Sequence, residues 1–127
     1  MAVVKRRTAI LISGRGSNME ALIAAARYET FPAEICLVVS NRPDAPGITA
    51  ARMAGIRAEV VDHRQFGRDR AAHERAIHDL LRGAGIEIVC LAGYLRVLTS
   101  FLVDRWEGRM LNVHPSLPNM AQGLGQP

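Results

Sequence analysis

The stretch TAILISGRGSN, residues 8–18, combines a strand, a turn and the start of a helix. Residues 8–12 are an apolar run of strand length, and the glycines that follow predict a tight turn. Beyond the turn, apolar residues recur at helical spacing as far as Tyr28, and Ser17 or Asn18 is expected to cap that helix. A helix amino terminus after a glycine turn presents free backbone N–H groups to an anion. The same pattern also fits an ordinary connection, so both interpretations stay open.

Strand-like and helix-like segments alternate along the rest of the chain. Apolar runs predict four more strands, and helical periodicity predicts three more helices. The strands are expected at residues 35–39, 58–61, 86–91 and 110–113, and the helices at residues 48–54, 68–81 and 99–106. This alternation predicts an α/β fold, a Rossmann-like open parallel sheet with strand order 3-2-1-4-5 and helices on both faces. Because that order reverses between strands one and four, we expect the loops after these two strands to meet in a crevice.

A dinucleotide site is one alternative for the glycine turn, because Gly14 and Gly16 begin the spacing of a dinucleotide fingerprint. Met19 stands at the third glycine position and is too bulky for the close helix packing of that fingerprint. The second strand ends in Ser40 and Asn41, where such a site needs an acidic residue for the ribose hydroxyls. The turn therefore suits a single phosphate better.

Two further stretches fall at the same edge of the predicted sheet. Residues 92–98, AGYLRVL, are unusually apolar for a loop, and they either pack under the next helix or line a pocket for a flat heterocycle. In the stretch NVHPSLP, residues 112–118, Asn112 and His114 are two apart and project from one face of an extended chain. Those two residues offer an amide donor beside a titratable ring. A polar strand end followed by a proline turn is the plainer alternative.

Composition and charge narrow the function classes. The 127 residues suit one domain, no apolar run approaches membrane-span length, and the basic start lacks the apolar core of a signal peptide, so we predict a cytoplasmic protein without membrane contact. The net charge of +4 comes with scattered arginines and few aromatics, which favours an anionic small substrate over nucleic acid.

The cysteines and histidines indicate neither a disulfide nor a metal site. Cys36 and Cys90 lie in apolar runs, which predicts reduced thiols in the core. His73 and His78 are five apart, and no cluster has zinc spacing, so no metal is expected.

Three motifs carry a resemblance to the folate-dependent formyltransferases. The stretch NVHPSLP resembles the N-[IV]-H-P-S-L-L-P signature of that family, although one leucine is missing before the second proline. The turn SGRGSN resembles the phosphate loop of the members that act on glycinamide ribonucleotide, and AGYLRVL resembles their folate-contacting segment. The resemblance covers residues 8–117. It implies a formyltransferase-like domain at residues 1–118 and a divergent tail at residues 119–127.

The resemblance also implies an activity, which is transfer of a formyl group from the cosubstrate 10-formyltetrahydrofolate to the amine of 5-phosphoribosyl glycinamide in purine biosynthesis. By this resemblance Asn112 and His114 are the catalytic pair. The implied substrate-binding residues are Gly16, Ser17 and Asn18, which would bind the phosphate of the substrate. The implied folate-binding residues are Leu95, Arg96, Val97, Leu98 and Asn112, together with Arg70, which follows Phe66 at a spacing one residue longer than the family's.

The carboxyl-terminal departure leads to two expectations and leaves alternatives open. The family holds its catalytic histidine charged with a downstream aspartate that this sequence does not reach, so we expect a weak or inactive enzyme. Family members add strands beyond the fifth, so we expect an exposed strand-five edge that favours self-association. The alternatives are an inactive folate- and phosphate-binding fragment, a formyltransferase acting on methionyl-tRNA, and a nucleotide-binding regulatory domain. A formyltetrahydrofolate deformylase would need an additional amino-terminal domain.

Overall fold

The computed structural model describes residues 3–113, which form alternating strands and helices. The strands are β1 (Arg6–Ile12), β2 (Ala33–Ser40), β3 (Arg57–Val60), β4 (Ile88–Leu91) and β5 (Met110–Asn112). The helices are α1 (Ser17–Ala26), α2 (Pro46–Met53), α3 (Arg70–Gly83) and α4 (Ser100–Arg105), with a 3₁₀ helix at His63–Phe66 between β3 and α3.

The five strands form one parallel sheet in the order β3-β2-β1-β4-β5, as the sequence predicted. Parallel neighbours need a crossover, and each consecutive pair of strands is joined by a segment that contains a helix. The chain moves outward from β1 to β3 and then returns to the other side of β1 with β4. The switch point therefore lies between β1 and β4, where Ile10 pairs with Cys90.

The core consists of two layers, one on each face of the sheet. Alternate residues of β1 point to opposite faces, so Ala9 and Leu11 join one cluster while Ile10 and Ile12 join the other. The first cluster is completed by α3 and α4, with Ile77, Leu81, Leu102 and Trp106 buried. The second is completed by α1 and α2, with Met19, Ile23, Ile48 and Ala51 buried. Helices thus cover both faces, in agreement with the predicted architecture.

Several boundaries differ from the sequence prediction. The third long helix begins at Arg70 instead of residue 68, because the Asp69 side chain accepts a hydrogen bond from the Ala72 N–H and caps it. The 3₁₀ helix was not predicted, and it is capped in the same way by Asp62. Residues 114–127 lie outside the described part of the chain, and with them the predicted catalytic His114 and the predicted domain boundary at residue 118.

Other expectations concern membranes, metals and thiols. None of the helices within residues 3–113 combines the length and apolar character that crossing a membrane requires. In the same range, no three His, Cys, Asp or Glu side chains come together as a metal site would need. Cys36 and Cys90 are free thiols, Cys90 being the more buried of the two, and burial raises the pKa of both.

Candidate functional site

The loops that follow β1 and β4 meet at the carboxyl edge of the sheet. They line an open cavity of about 190 Å³, bounded by the glycine turn with the start of α1 on one side and by the beginning of the apolar loop on the other. The lining residues are Gly14, Arg15, Gly16, Ser17, Asn18, Ala92, Gly93 and Leu95. The meeting of the two loops at the switch point is the arrangement that the strand order predicted.

The glycine turn leads directly into α1. Gly16 is the residue before the helix and has φ 77°, a left-handed conformation that favours glycine. No side chain caps α1, so the prediction that Ser17 or Asn18 is the cap is wrong, and both residues belong to the first helical turn. The first intrahelical bond runs from the Glu20 N–H to the Gly16 carbonyl at 2.8 Å, so the preceding N–H groups of this turn lack an acceptor within the helix. This is the geometry of an anion site.

Close packing with the start of α2 positions the glycine turn. The Gly47 N–H donates to the Gly14 carbonyl at 3.0 Å. A Cβ at position 47 would lie 2.5 Å from Ile12 Cδ1, 3.0 Å from the Gly14 carbonyl oxygen and 3.2 Å from the Arg15 carbonyl oxygen. Only a residue without a side chain allows this approach. Gly47 therefore holds the glycine turn in place by close packing and a backbone hydrogen bond. Nothing in the sequence pattern predicted this role.

A buried polar cluster lies beneath the two loops. The Ser13 hydroxyl accepts a hydrogen bond from the Leu95 N–H at 2.8 Å and donates one to Asn41 Oδ1 at 2.5 Å. Asn41 Nδ2 lies 3.1 Å from His63 Nδ1, in the 3₁₀ helix. Ser13 and Asn41 are only 3% and 2% exposed, so the bond between these two side chains is shielded from water. The cluster joins the ends of β1 and β2 to the apolar loop.

The apolar loop divides into residues that pack inward and residues that face solvent. Tyr94 and Leu98 pack against the core cluster of α3 and α4, whereas the Leu95 and Val97 side chains are 79% and 72% exposed. The predicted packing against the next helix is confirmed for Tyr94 and Leu98, whereas the pocket for a flat heterocycle stays a prediction. The Tyr94 hydroxyl is buried and has no hydrogen-bond partner among residues 3–113, and burial raises the pKa of Tyr94 to about 12. Leu95 and Val97 are available to a ligand.

Glu74, on α3, fixes the far end of the apolar loop. Its buried carboxylate accepts hydrogen bonds from the Thr99 N–H at 2.8 Å, from the Thr99 hydroxyl at 2.6 Å and from the Leu102 N–H at 3.1 Å. Thr99 is the residue that precedes α4, and its own hydroxyl accepts from the Phe101 N–H at 3.2 Å. A carboxylate at a helix amino terminus is favoured by the free N–H groups there. The start of α4, and with it the end of the loop, is therefore held rigidly.

The other predicted site residues within residues 3–113 do not line the cavity. Arg96 is half-buried, and its charge helps to lower the pKa of His73, for which burial is the larger cause. Arg70 is the exposed first residue of α3. Asn112 ends β5, is exposed, and pairs in register with Leu91, the residue just before the apolar loop. The structure therefore brings Gly16, Ser17, Asn18 and Leu95 together and places Asn112 beside the root of the same loop.

The cavity has a basic and hydrogen-bond-donating character. The four ion pairs within residues 3–113 involve Arg6, Arg42, Arg57 and Arg64, so the exposed Arg15 of the cavity belongs to none of them. Arg15 adds a positive charge to the amino terminus of α1, where the helix dipole is also positive. This combination favours a bound anion.

The formyl transferase family model matches residues 6–125. The trifunctional purine biosynthetic protein adenosine-3 of Gallus gallus is 45% identical over 113 residues, which are 89% of this chain and 11% of that protein. The phosphoribosylglycinamide formyltransferase of Haemophilus influenzae is 36% identical over 119 residues, which are 94% of this chain and 56% of that enzyme. This chain thus spans only part of the length of both relatives.

Solved structures give the same relationship. The crystal structure of phosphoribosylglycinamide formyltransferase from Brucella melitensis superimposes with a TM-score of 0.81 at 42% identity, covering 94% of this chain and 66% of that one. Glycinamide ribonucleotide transformylase 1 from Geobacillus kaustophilus gives a TM-score of 0.81 at 33% identity, covering 95% of this chain and 69% of that one. With the matched family model and the shared parallel sheet, these similarities show that the chain belongs to the formyl transferase family.

Proposed function

We propose that this chain transfers a formyl group from 10-formyltetrahydrofolate to the amine of 5-phosphoribosyl glycinamide, in purine biosynthesis. One observation carries the proposal, namely the crevice in which the amino terminus of α1 and the apolar loop after β4 face each other across the switch point. One side suits a phosphate and the other a heterocycle. The relatives named as phosphoribosylglycinamide formyltransferases agree with this pair of ligands.

The phosphate of the substrate is assigned to the glycine turn. Gly16, Ser17 and Asn18 line the cavity, and the first turn of α1 offers N–H groups that lack intrahelical acceptors. Gly47 keeps the turn in place, and Arg15 adds a positive charge. A dianionic phosphate is favoured by each of these features.

The folate cosubstrate is assigned to the apolar loop, Leu95, Arg96, Val97 and Leu98, together with Arg70 and Asn112. The exposed Leu95 and Val97 side chains offer an apolar surface for a flat ring, and the neighbouring backbone groups offer donors and acceptors. Arg70 and Arg96 supply positive charge, which suits the carboxylates of a folate. Arg70 is the exposed first residue of α3.

The chemistry is assigned to Asn112 and His114. Attack of the substrate amine on the formyl carbon forms a new C–N bond and a tetrahedral oxyanion, which a positioned amide N–H and an imidazolium stabilise. Collapse of that intermediate breaks the bond to the folate nitrogen. One proton leaves the attacking amine and one reaches the departing nitrogen, a transfer suited to a histidine. Asn112 stands next to Leu91 in the sheet, so it flanks the position assigned to the folate.

The test combines binding with turnover. Isothermal titration with a folate analogue, with 5-phosphoribosyl glycinamide and with NAD is expected to show binding of the first two alone. A formyl-transfer assay on this chain beside a full-length relative then separates an enzyme from a domain that only binds these ligands. Binding of NAD, or of neither folate nor phosphate ligand, would refute the proposal.

Two further parts of the proposal concern assembly and location. In the described part of the chain β5 is one of the two edge strands, and Leu111 on it is 58% exposed, which supports self-association through this edge. Light scattering over a range of protein concentrations measures it, and a constant monomer mass would exclude it. A cytoplasmic location remains a prediction, which cell fractionation tests.

A further inference from the structure

We infer that Ser13 is a positioning residue for the proposed folate loop, because its hydroxyl connects the backbone of Leu95 to the end of β2. This inference rests on the proposed function, since it assigns Leu95 to ligand binding. Ser13 does not line the cavity and therefore acts through the residues it holds. The hydroxyl bonds two residues that lie 82 and 28 positions away along the chain.

The Ser13 hydroxyl donates one hydrogen bond and accepts another. It accepts from the Leu95 N–H at 2.8 Å and donates to Asn41 Oδ1 at 2.5 Å, so its rotation is fixed by both partners. Since Ser13 is 3% exposed, its hydroxyl is satisfied by these two protein groups. Removing the hydroxyl leaves the Leu95 N–H and Asn41 Oδ1 without these bonds.

Asn41 is itself held in a defined orientation. Its backbone N–H donates to the Ile12 carbonyl at 3.4 Å, and its carbonyl accepts from the His63 N–H at 3.3 Å. Its Nδ2 lies 3.1 Å from His63 Nδ1, and the same ring nitrogen lies 3.1 Å from the Asn41 carbonyl oxygen. The amide oxygen of Asn41 faces Ser13. The backbone of the apolar loop is thus connected, through two side chains, to the strand and to the 3₁₀ helix.

The consequence concerns Leu95 and the two halves of the crevice. The Leu95 side chain is 79% exposed, so side-chain packing contributes little to its position, and the backbone bond to Ser13 takes that role. Ser13 directly precedes Gly14, the first residue of the cavity on the phosphate side. The Ser13 hydroxyl therefore holds the Leu95 backbone to the strand end from which the glycine turn begins.

Backbone amide exchange tests the anchor without any ligand. In Ser13→Ala the Leu95 N–H loses its acceptor, so its exchange measured by NMR is expected to be about tenfold faster or more. Ser40→Ala is the matched control, because Ser40 is also buried at a strand end but its hydroxyl bonds only Arg42. That control is expected to leave Leu95 unchanged. Equal exchange at Leu95 in the parent and in Ser13→Ala would overturn the inference.

Ligand binding tests the positioning role. Ser13→Ala is expected to weaken binding of a folate analogue about tenfold while changing affinity for 5-phosphoribosyl glycinamide less than about twofold. An equal loss for both ligands would indicate a general structural role, and unchanged folate binding would exclude positioning; either result overturns the inference. If the parent binds neither ligand, the proposed function fails, whereas the exchange measurement still decides on the anchor. Should Ser13→Ala not fold, Asn41→Ala removes the oxygen that orients the hydroxyl and is expected to accelerate exchange at Leu95 as well.

Discussion

Replacing Gly47 by alanine tests whether the glycine turn is held by close packing. Alanine in a helix normally stabilises by about 0.5–1 kcal/mol relative to glycine. At position 47, however, the new Cβ would lie 2.5 Å from Ile12 Cδ1 and 3.0 Å from the Gly14 carbonyl oxygen. The Cδ1 atom is the end of a side chain and can rotate away from the new Cβ. The Gly14 carbonyl is part of the turn backbone, so it can move only if the turn moves. Overpacking of this kind costs about 1–3 kcal/mol, so we expect a net destabilisation of about 1–2 kcal/mol.

Gly83→Ala is the control, since a Cβ at this helical position meets no atom within 4 Å. It is expected to raise the melting temperature slightly, whereas Gly47→Ala is expected to lower it by about 4–8 °C, at about 4 °C for each kcal/mol. Displacement of the turn should also weaken binding of 5-phosphoribosyl glycinamide in Gly47→Ala alone. Calorimetric melting and isothermal titration measure the two effects. If Gly47→Ala were as stable as Gly83→Ala and bound the phosphate ligand like the parent, the packing argument would be refuted.

Three further substitutions and one pH titration probe the glycine turn, the apolar loop, Asn112 and the buried histidines. Gly16→Val is expected to abolish phosphate-ligand binding in titrations and, because φ is 77° there, to cost about 1–2 kcal/mol of stability; parent-like affinity would contradict the assignment. Val97→Glu places a charge on an exposed loop position, so folate-analogue binding should weaken without a change in melting temperature, and unchanged titration would count against that pocket. In a full-length family member built on this sequence, Asn112→Ala should reduce turnover about 10²–10³-fold, and a loss of only a few-fold would exclude its oxyanion role. Burial lowers the pKa of both His73 and His78 from the ordinary value of 6.5, so the unfolded state gains protons first on acidification. The free energy of unfolding, measured in urea, should therefore be highest above about pH 6.5 and should decrease as the pH falls through the lower pKa values of the two histidines in the folded protein. A free energy of unfolding that rises on acidification in that range would contradict this sign.

The order of the strands followed from local patterns. Apolar runs of strand length alternate with helical periodicity, and in a parallel α/β sheet such alternation leaves few topologies. The position of the crevice then followed as well, because the reversal of strand order selects the loops after β1 and β4. The resemblance of three short motifs supplied the chemistry assigned to that crevice. Short-range signals were sufficient for each of these steps.

Helix ends and the 3₁₀ helix were less predictable, since they depend on dihedral angles and on caps. Ser17 has a favourable residue type for a cap, yet the chain turns at Gly16, whose left-handed φ lets the helix begin without a side-chain cap. The polar ends of β1 and β2 did offer a signal, because Ser13 and Asn41 directly follow buried strands. Their partners were not visible in the sequence.

Periodicity and turn residues act between neighbours along the chain, so the sheet, its strand order and the two loops of the crevice were predictable without coordinates. Only the tertiary structure showed that Gly47 must lack a side chain and that Ser13 holds Leu95. Both contacts depend on the parallel register of β1 with its neighbours, which brings together residues 33 and 82 positions apart and leaves no periodic pattern in the sequence.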